Sequence, residues 1–153
     1  MNASLAESVF AALRAIGDPM TPSPKRQEST RYIEECRKDR AMILVMKAIL
    51  ESPQVHGDST WCFLCLKLFE DCLFVHWNTL DFSDQTEIRK FVCGLVDLCH
   101  ATLSSMPIRT KLAKLISELA KRQYPQLWES FVPDLLSAWA DAGFSLKALV
   151  NNR

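Results

Sequence analysis

The chain has 153 residues, 48% of them hydrophobic, which is long and apolar enough for a folded domain with a core. Its 18 Lys and Arg balance its 18 Asp and Glu, so no net charge draws it toward nucleic acid or acidic lipid. Only 4 glycines and few β-branched runs favour helices over sheets.

Helical periodicity begins at once. Ser4 to Ile16 carries Leu5, Val9, Ala12, Leu13 and Ile16 near one helix face. Ser4 with Glu7 fits a capping box, and Gly17-Asp18-Pro19 stops the helix. Thr21-Pro22-Ser23-Pro24 reads as a turn, with Pro24 able to sit in the first turn of a second helix. That helix, Pro24 to Lys38, is mostly polar, with Tyr32, Ile33 and Cys36 as a narrow apolar stripe. Asp39 can cap a third helix, Arg40 to Glu51, apolar at Met42, Ile43, Val45, Met46, Ile49 and Leu50 and ended by Ser52-Pro53.

Asp58 or Ser59 starts a fourth helix running to Trp77, apolar nearly all round, so it must be covered on more than one side. Asn78 to Asp81 is a turn. Ser83 or Asp84 caps a fifth helix with Ile88, Phe91, Val92, Leu95, Val96, Cys99 and Leu103 on one stripe. Pro107 opens a sixth, with Ile108, Leu112, Leu115, Ile116 and Leu119 inward and Arg109, Lys111, Lys114, Glu118, Lys121 and Arg122 outward. Tyr124-Pro125 closes it, because the residue before Pro is pushed out of the helical region. A seventh helix starts near Pro133 and ends at Gly143.

The expected fold is all-α: HEAT-like antiparallel helical hairpins, starting near residues 4, 39, 83 and 133, stacked as an α-α superhelix (solenoid). A spacing of roughly 35–50 residues suits helix-pair repeats, and a compact bundle is the alternative that periodicity leaves open.

The start, Met1 to Leu5, lacks the basic run of a secretory signal. The longest apolar stretch, Thr60 to Trp77, holds Lys67, Glu70 and Asp71 at its centre, and Ala41 to Leu50 is too short to cross a bilayer. A soluble chain with no membrane insertion is expected, its 6 cysteines reduced thiols.

Cys62-x2-Cys65-x6-Cys72-x3-His76 has the look of a zinc string. On one unbroken helix, however, its ends lie about 21 Å apart along the axis, whereas a shared ion needs every ligand within about 2.3 Å. Buried structural thiols are the reading, with no metal and no cofactor. The pair Cys99 and His100 points about 100° apart on a helix and cannot engage directly. With no Gly-rich phosphate loop, no G-x-S-x-G and no H-E-x-x-H either, the chain reads as no enzyme.

The strongest local signal is Lys121-Arg122-Gln123-Tyr124-Pro125-Gln126-Leu127-Trp128-Glu129-Ser130-Phe131. An aromatic-Pro pair ends one helix, and a Trp three residues later packs into the joint before the next. This stretch resembles the Trp-Pro-x-x-Trp segment that starts the exportin-1/importin-β-like domain of nuclear export receptors. Tyr124 stands where the first aromatic is usually Trp, and Glu129 where many members have a second Pro. Phe74-Val75-His76-Trp77-Asn78 looks like the helix end and Trp-Asn turn of exportin-five-type receptors (Hasty in plants). Arg31-Tyr32-Ile33-Glu34-Glu35-Cys36 looks like the second helix of their importin-β N-terminal region.

The resemblance covers residues 3–142. It divides the chain into importin-β N-terminal-like hairpins at 1–103, the start of the exportin-1/importin-β-like domain at 104–143, and an unassigned tail at 144–153. Such receptors run to about twenty hairpins, so the chain is expected to be a fragment, a truncated gene product or a divergent short form.

The resemblance implies a karyopherin of the nuclear transport type, shuttling between nucleus and cytoplasm. Its implied partners are the GTPase Ran in its GTP form, nucleoporins, and an export cargo of structured small RNA such as microRNA precursors or tRNA. Lys67 on the fourth helix, with Lys111 and Lys114 on the sixth, are the Ran-binding candidates by position. Trp77, Tyr124, Pro125 and Trp128 are the structural motif. A free-standing helical scaffold that binds proteins without transport is the alternative from another class.

Overall fold

The computed structural model describes residues 3–141, with the side chains of residues 3, 4, 100, 135 and 138–141 outside the description. The cap expected of Ser4, the helix end at Gly143 and the tail from Phe144 therefore lie outside the described residues. Every helix and turn below is one of the described residues, among which there is no strand.

The all-α expectation holds. The α-helices are α1 (Ala3–Gly17), α2 (Ser23–Cys36), α3 (Met42–Leu50), α4 (Pro53–His56), α5 (Ser59–His76), α6 (Phe82–Leu98), α7 (Met106–Gln123) and α8 (Phe131–Asp141). Single 3₁₀ turns occupy Trp77–Thr79 and His100–Thr102. The chain divides into two compact units, Met1–Asp81 and Phe82–Arg153.

In the first unit, α1 packs on α2 and α3 on α5, with α1 also touching α3 and α5. The link 18–22 is short, so α1 and α2 run antiparallel. Val9, Ala12 and Leu13 of α1 are buried, against only Ile33 on α2. Tyr32, expected on the α2 stripe, is 36% exposed. A mostly polar helix here rests on a single apolar ridge. All six apolar residues expected inside α3 are buried. On α5 the buried set, from Cys62 and Cys65 through Leu66, Leu68, Phe69 and Glu70 to Cys72 and Leu73, wraps most of the helix. Covering such a helix on several sides is what its all-round apolar sequence demands.

A one-turn helix, α4, stands where sequence reading placed only a stop, so the count of seven helices is corrected to eight α-helices among the described residues. Pro53 ends α3 and also suits the first turn of α4, since it has no N–H to leave unsatisfied there. Val55 of this turn is 1% exposed. Gly57 follows, and a Cβ there would come within 2.9 Å of the Pro53 carbonyl oxygen. Asp58 then caps α5, its Oδ1 accepting from the N–H groups of Thr60 and Trp61 at 3.0 and 3.1 Å. Asp39 acts similarly before α3, its Oδ1 accepting from Ala41 N–H at 2.9 Å.

In the second unit, α6 packs against both α7 and α8. Ile88, Val92, Leu95 and Val96 of α6 are buried, and so are Ile108, Leu112, Leu115, Ile116 and Leu119 of α7. Two boundaries differ from expectation. α6 already includes Phe82, so Ser83 and Asp84 lie inside its first turn. It ends at Leu98, and the 3₁₀ turn that follows returns Leu103 to the core at 5% exposure.

Candidate functional site

The outward face of α7 follows from its amphipathic sequence, because the stripe from Ile108 to Leu119 commits the other side to polar residues. Of the two Ran-binding candidates on it, Lys114 is exposed and Lys111 is half-buried. The expectation is that both lie on the exposed face, off the apolar stripe, and Lys111 is the less exposed of the two. Lys111 sits one position before buried Leu112, at the border between the polar face and the apolar stripe. Further along, Glu118 neutralises part of the basic run. Its Oε1 accepts from Lys121 Nζ at 2.9 Å and its Oε2 from Arg122 Nη1 at 3.0 Å. These bonds, that from Lys121 first, hold the Glu118 carboxyl below its usual value. The outward face of α7, basic residues interleaved with Glu118 in sequence, is thus partly neutralised at its C-terminal end.

The third candidate, Lys67, lies in the other unit and is exposed on α5. It lines a surface cleft of about 230 Å³ whose floor includes Leu13, Ile33, Leu64 and Leu68. Arg37 and Asp71 stand on the rim as an ion pair, and Arg37 also donates to Glu34 Oε1 at 2.7 Å. Two more links tie the same ends together. His76 Nε2 hydrogen-bonds the Arg37 carbonyl oxygen at 2.9 Å, and Arg40 Nη1 donates to the Thr79 carbonyl oxygen at 2.9 Å. Trp77, in the turn after α5, is buried at 5% exposure.

The joint between α7 and α8 is a clasp. The Tyr124–Pro125 peptide bond is cis, and the Leu127 and Trp128 N–H groups both return to the Gln123 carbonyl oxygen, at 2.8 and 3.0 Å. Trp128 is 1% exposed. Its Nε1–H donates to Asp134 Oδ2 at 2.8 Å, and Ser130 Oγ donates to the same oxygen at 2.8 Å. The indole meets Phe131 edge-on with centroids 4.8 Å apart. From α6, Arg89 closes the clasp. Its guanidinium lies 5.2 Å from the Trp128 ring centroid, and Nη1 donates to the Leu127 carbonyl oxygen at 2.7 Å and to Gln123 Oε1 at 3.4 Å. A cation over an indole face and a charge-assisted bond to a main-chain carbonyl are both attractive. Tyr124 itself is exposed, packing its ring against Phe131 at 5.5 Å. Arg89 and Asp134 were not singled out from sequence. Each is one charged residue on a helix, and only the fold brings residues 34 and 38 positions apart onto the same guanidinium.

The thiols lie where a core puts them. Cys62, Cys65 and Cys72 are buried along the unbroken α5, and His76 at its end is engaged by the Arg37 carbonyl. Burial, helped by the neighbouring Cys62, pushes the Cys65 thiol up to about 12. Burial also raises Cys72 to about 11 against the opposing pull of Arg37. Such thiols stay protonated and unreactive near neutrality. Cys99 is likewise buried, and the His100 side chain lies outside the described residues. No described helix is long and apolar enough to cross a membrane.

Comparison with known proteins bears on the same region. The family described as Exportin 1-like protein matches residues 105–150, a span that takes in α7 and the Tyr124–Trp128 clasp. An uncharacterized protein of Schizosaccharomyces pombe is 24% identical over 142 residues, covering 87% of this chain and 12% of the relative. Protein MSN5 of Saccharomyces cerevisiae is 25% identical over 155 residues, covering 99% of this chain and 12% of the relative. The chain thus spans about an eighth of the length of these two relatives. No solved structure matches it. These similarities support a relationship between this chain and the exportin 1-like family.

Proposed function

We propose that this chain is part of an exportin-like nuclear transport receptor and that its helical hairpins take part in binding Ran in the GTP form. The observation that carries the reading is the exportin 1-like match over residues 105–150, centred on the clasp that joins α7 to α8. On this reading the segment from about residue 104 opens the exportin-1/importin-β-like domain, and the hairpins before it correspond to the importin-β N-terminal region. Lys67 on α5 and Lys111 and Lys114 on α7 are the Ran-contact candidates. GTP is then a ligand of Ran, and the chain needs no cofactor of its own. The receptor would shuttle between nucleus and cytoplasm, contacting nucleoporins. In an exportin-five-type receptor the cargo would be structured small RNA. A chain with no net charge supplies little phosphate affinity by itself, so RNA would need surfaces beyond these residues.

The test is a titration of the chain with Ran loaded with GTP and with GDP, repeated with the double variant Lys111→Glu, Lys114→Glu. Selective binding of the GTP form is expected. Interface charges at the rim mainly set association rate and salt sensitivity. At about 0.2–1 kcal/mol for each exposed pair lost, the double variant should bind roughly 2- to 30-fold more weakly, with its helical circular dichroism unchanged. Equal binding to both nucleotide states, or none, would leave the free-standing scaffold as the reading that survives.

A further inference from the structure

Three of the 7 prolines follow a Ser or Thr: Thr21-Pro22, Ser23-Pro24 and Ser52-Pro53. Ser23 differs from the other two in what comes next, Lys25 and Arg26, where Thr21 has Ser23 and Pro24 and Ser52 has Gln54 and Val55. A Pro directly after the hydroxyl residue suits a kinase cleft that offers no acceptor for the missing N–H. An Arg three positions after the hydroxyl offers that cleft a planar, charge-assisted contact. We propose that Ser23 is a phosphorylation site for a proline-directed, basic-reading protein kinase.

The local structure presents the serine for that reaction. Ser23, Pro24 and Lys25 are exposed. Ser23 opens α2 directly after Pro22, whose ψ of 145° is extended. A kinase binds its substrate extended, so the first turn of α2 must open. That turn is held by the Arg26 N–H bond to the Pro22 carbonyl oxygen at 3.0 Å and by Arg26 Nη2 to the Asp18 carbonyl oxygen at 2.7 Å. No large apolar side chain leaves the core with it, since the buried residue of α2 is Ile33, near the other end. Helix ends of this kind open at low free energy.

The γ-phosphoryl group passes from ATP to Ser23 Oγ, the hydroxyl proton goes to the kinase's base, and ADP leaves. The product has somewhere to settle. Ser23 shares a surface hollow of about 380 Å³ with Arg26 and Arg31, and the first turn of α2 holds no acidic residue. A phosphate of about −1.5 to −2 charge there gains guanidinium donors and turns a cationic hollow near neutral.

This inference stands on the motif and its exposure and does not depend on the transport reading. The full chain is incubated with a purified cyclin-dependent kinase and ATP, and the product is mapped by mass spectrometry. Phosphate is expected on Ser23, abolished by Ser23→Ala and unaffected by Thr21→Ala. Pro24→Ala and Arg26→Ala should each slow the initial rate at least roughly tenfold, the loss of one specific contact. Unchanged melting of Ser23→Ala and Arg26→Ala would show that the fold is not the cause. An unmodified Ser23, phosphate on Thr21 in its place, or an undiminished rate in Pro24→Ala would overturn the assignment.

Discussion

Replacing Trp128 by Ala tests the clasp most directly. The indole is 1% exposed and ranks among the largest fully buried side chains. Truncating a buried Trp to Ala costs about 3–5 kcal/mol from lost transfer energy and the cavity left behind. Here the substitution also removes the Nε1–H bond to Asp134, the edge contact with Phe131 and the stacking of Arg89, so the upper half of that range is expected. Trp128→Phe separates the terms. It keeps an aromatic ring for Phe131 and Arg89 but gives Asp134 Oδ2 only the Ser130 hydroxyl. A hydrogen bond to a charged group contributes about 1.5–3 kcal/mol, so Phe should fall clearly between Trp and Ala. The assay is urea unfolding followed by circular dichroism. In a parallel thermal melt, a loss of at least about 4 kcal/mol should lower the melting temperature of a chain of this size by at least about 8 °C. An Ala variant as stable as the parent, or a Phe variant no better than Ala, would refute the clasp as a stabilising unit.

Two further outcomes follow from the first unit and its thiols. Asp58→Ala strips two N–H acceptors from the start of α5 and should cost about 1 kcal/mol in urea unfolding, with Asp58→Asn nearly neutral; equal losses for the two would argue against capping. Cys65 and Cys72 have folded-state values raised from 9.0 to about 12 and about 11. Above pH 9 the unfolded chain therefore sheds protons that the folded chain keeps. Their contribution is fully present below pH 9 and lost as pH climbs toward 12. The urea midpoint should fall progressively above pH 9, and at pH 8 a thiol reagent should reach half-buried Cys36 well before Cys65 or Cys72. A flat midpoint between pH 9 and 11, or equally fast labelling of every thiol, would contradict this.

What could be read from sequence tracked the strength of the pattern behind it. All five residues expected inside α7 are buried, because a long stripe with charges opposite leaves one way to pack. Sequence hides the turn α4 because Ser52-Pro53 marks the end of α3, while the same Pro is equally suited to begin a helix. Periodicity puts Tyr32 on the apolar stripe, yet α2 buries a ridge only one residue wide. The site divides in the same way. An aromatic-Pro pair followed by Trp is a local signal, readable wherever it occurs. That Arg89 on α6 would hold the carbonyl of Leu127 depends on a distance only a fold supplies, whereas Glu118 meets Lys121 and Arg122 at local helix spacing.

The single turn of α4 has a consequence for how this chain can vary. With Val55 buried, Pro53 starting the turn, Gly57 allowed no side chain without a clash and Asp58 fixing the first N–H groups of α5, the stretch between α3 and α5 is a spacer of set length. One residue inserted at the start of α5 would turn its side chains by about 100° against α3, the helix it packs on. The link 18–22 holds no buried residue and carries two prolines, so it can absorb added length at its surface. Length differences among relatives of this chain should therefore gather between α1 and α2 and stay out of residues 53–58.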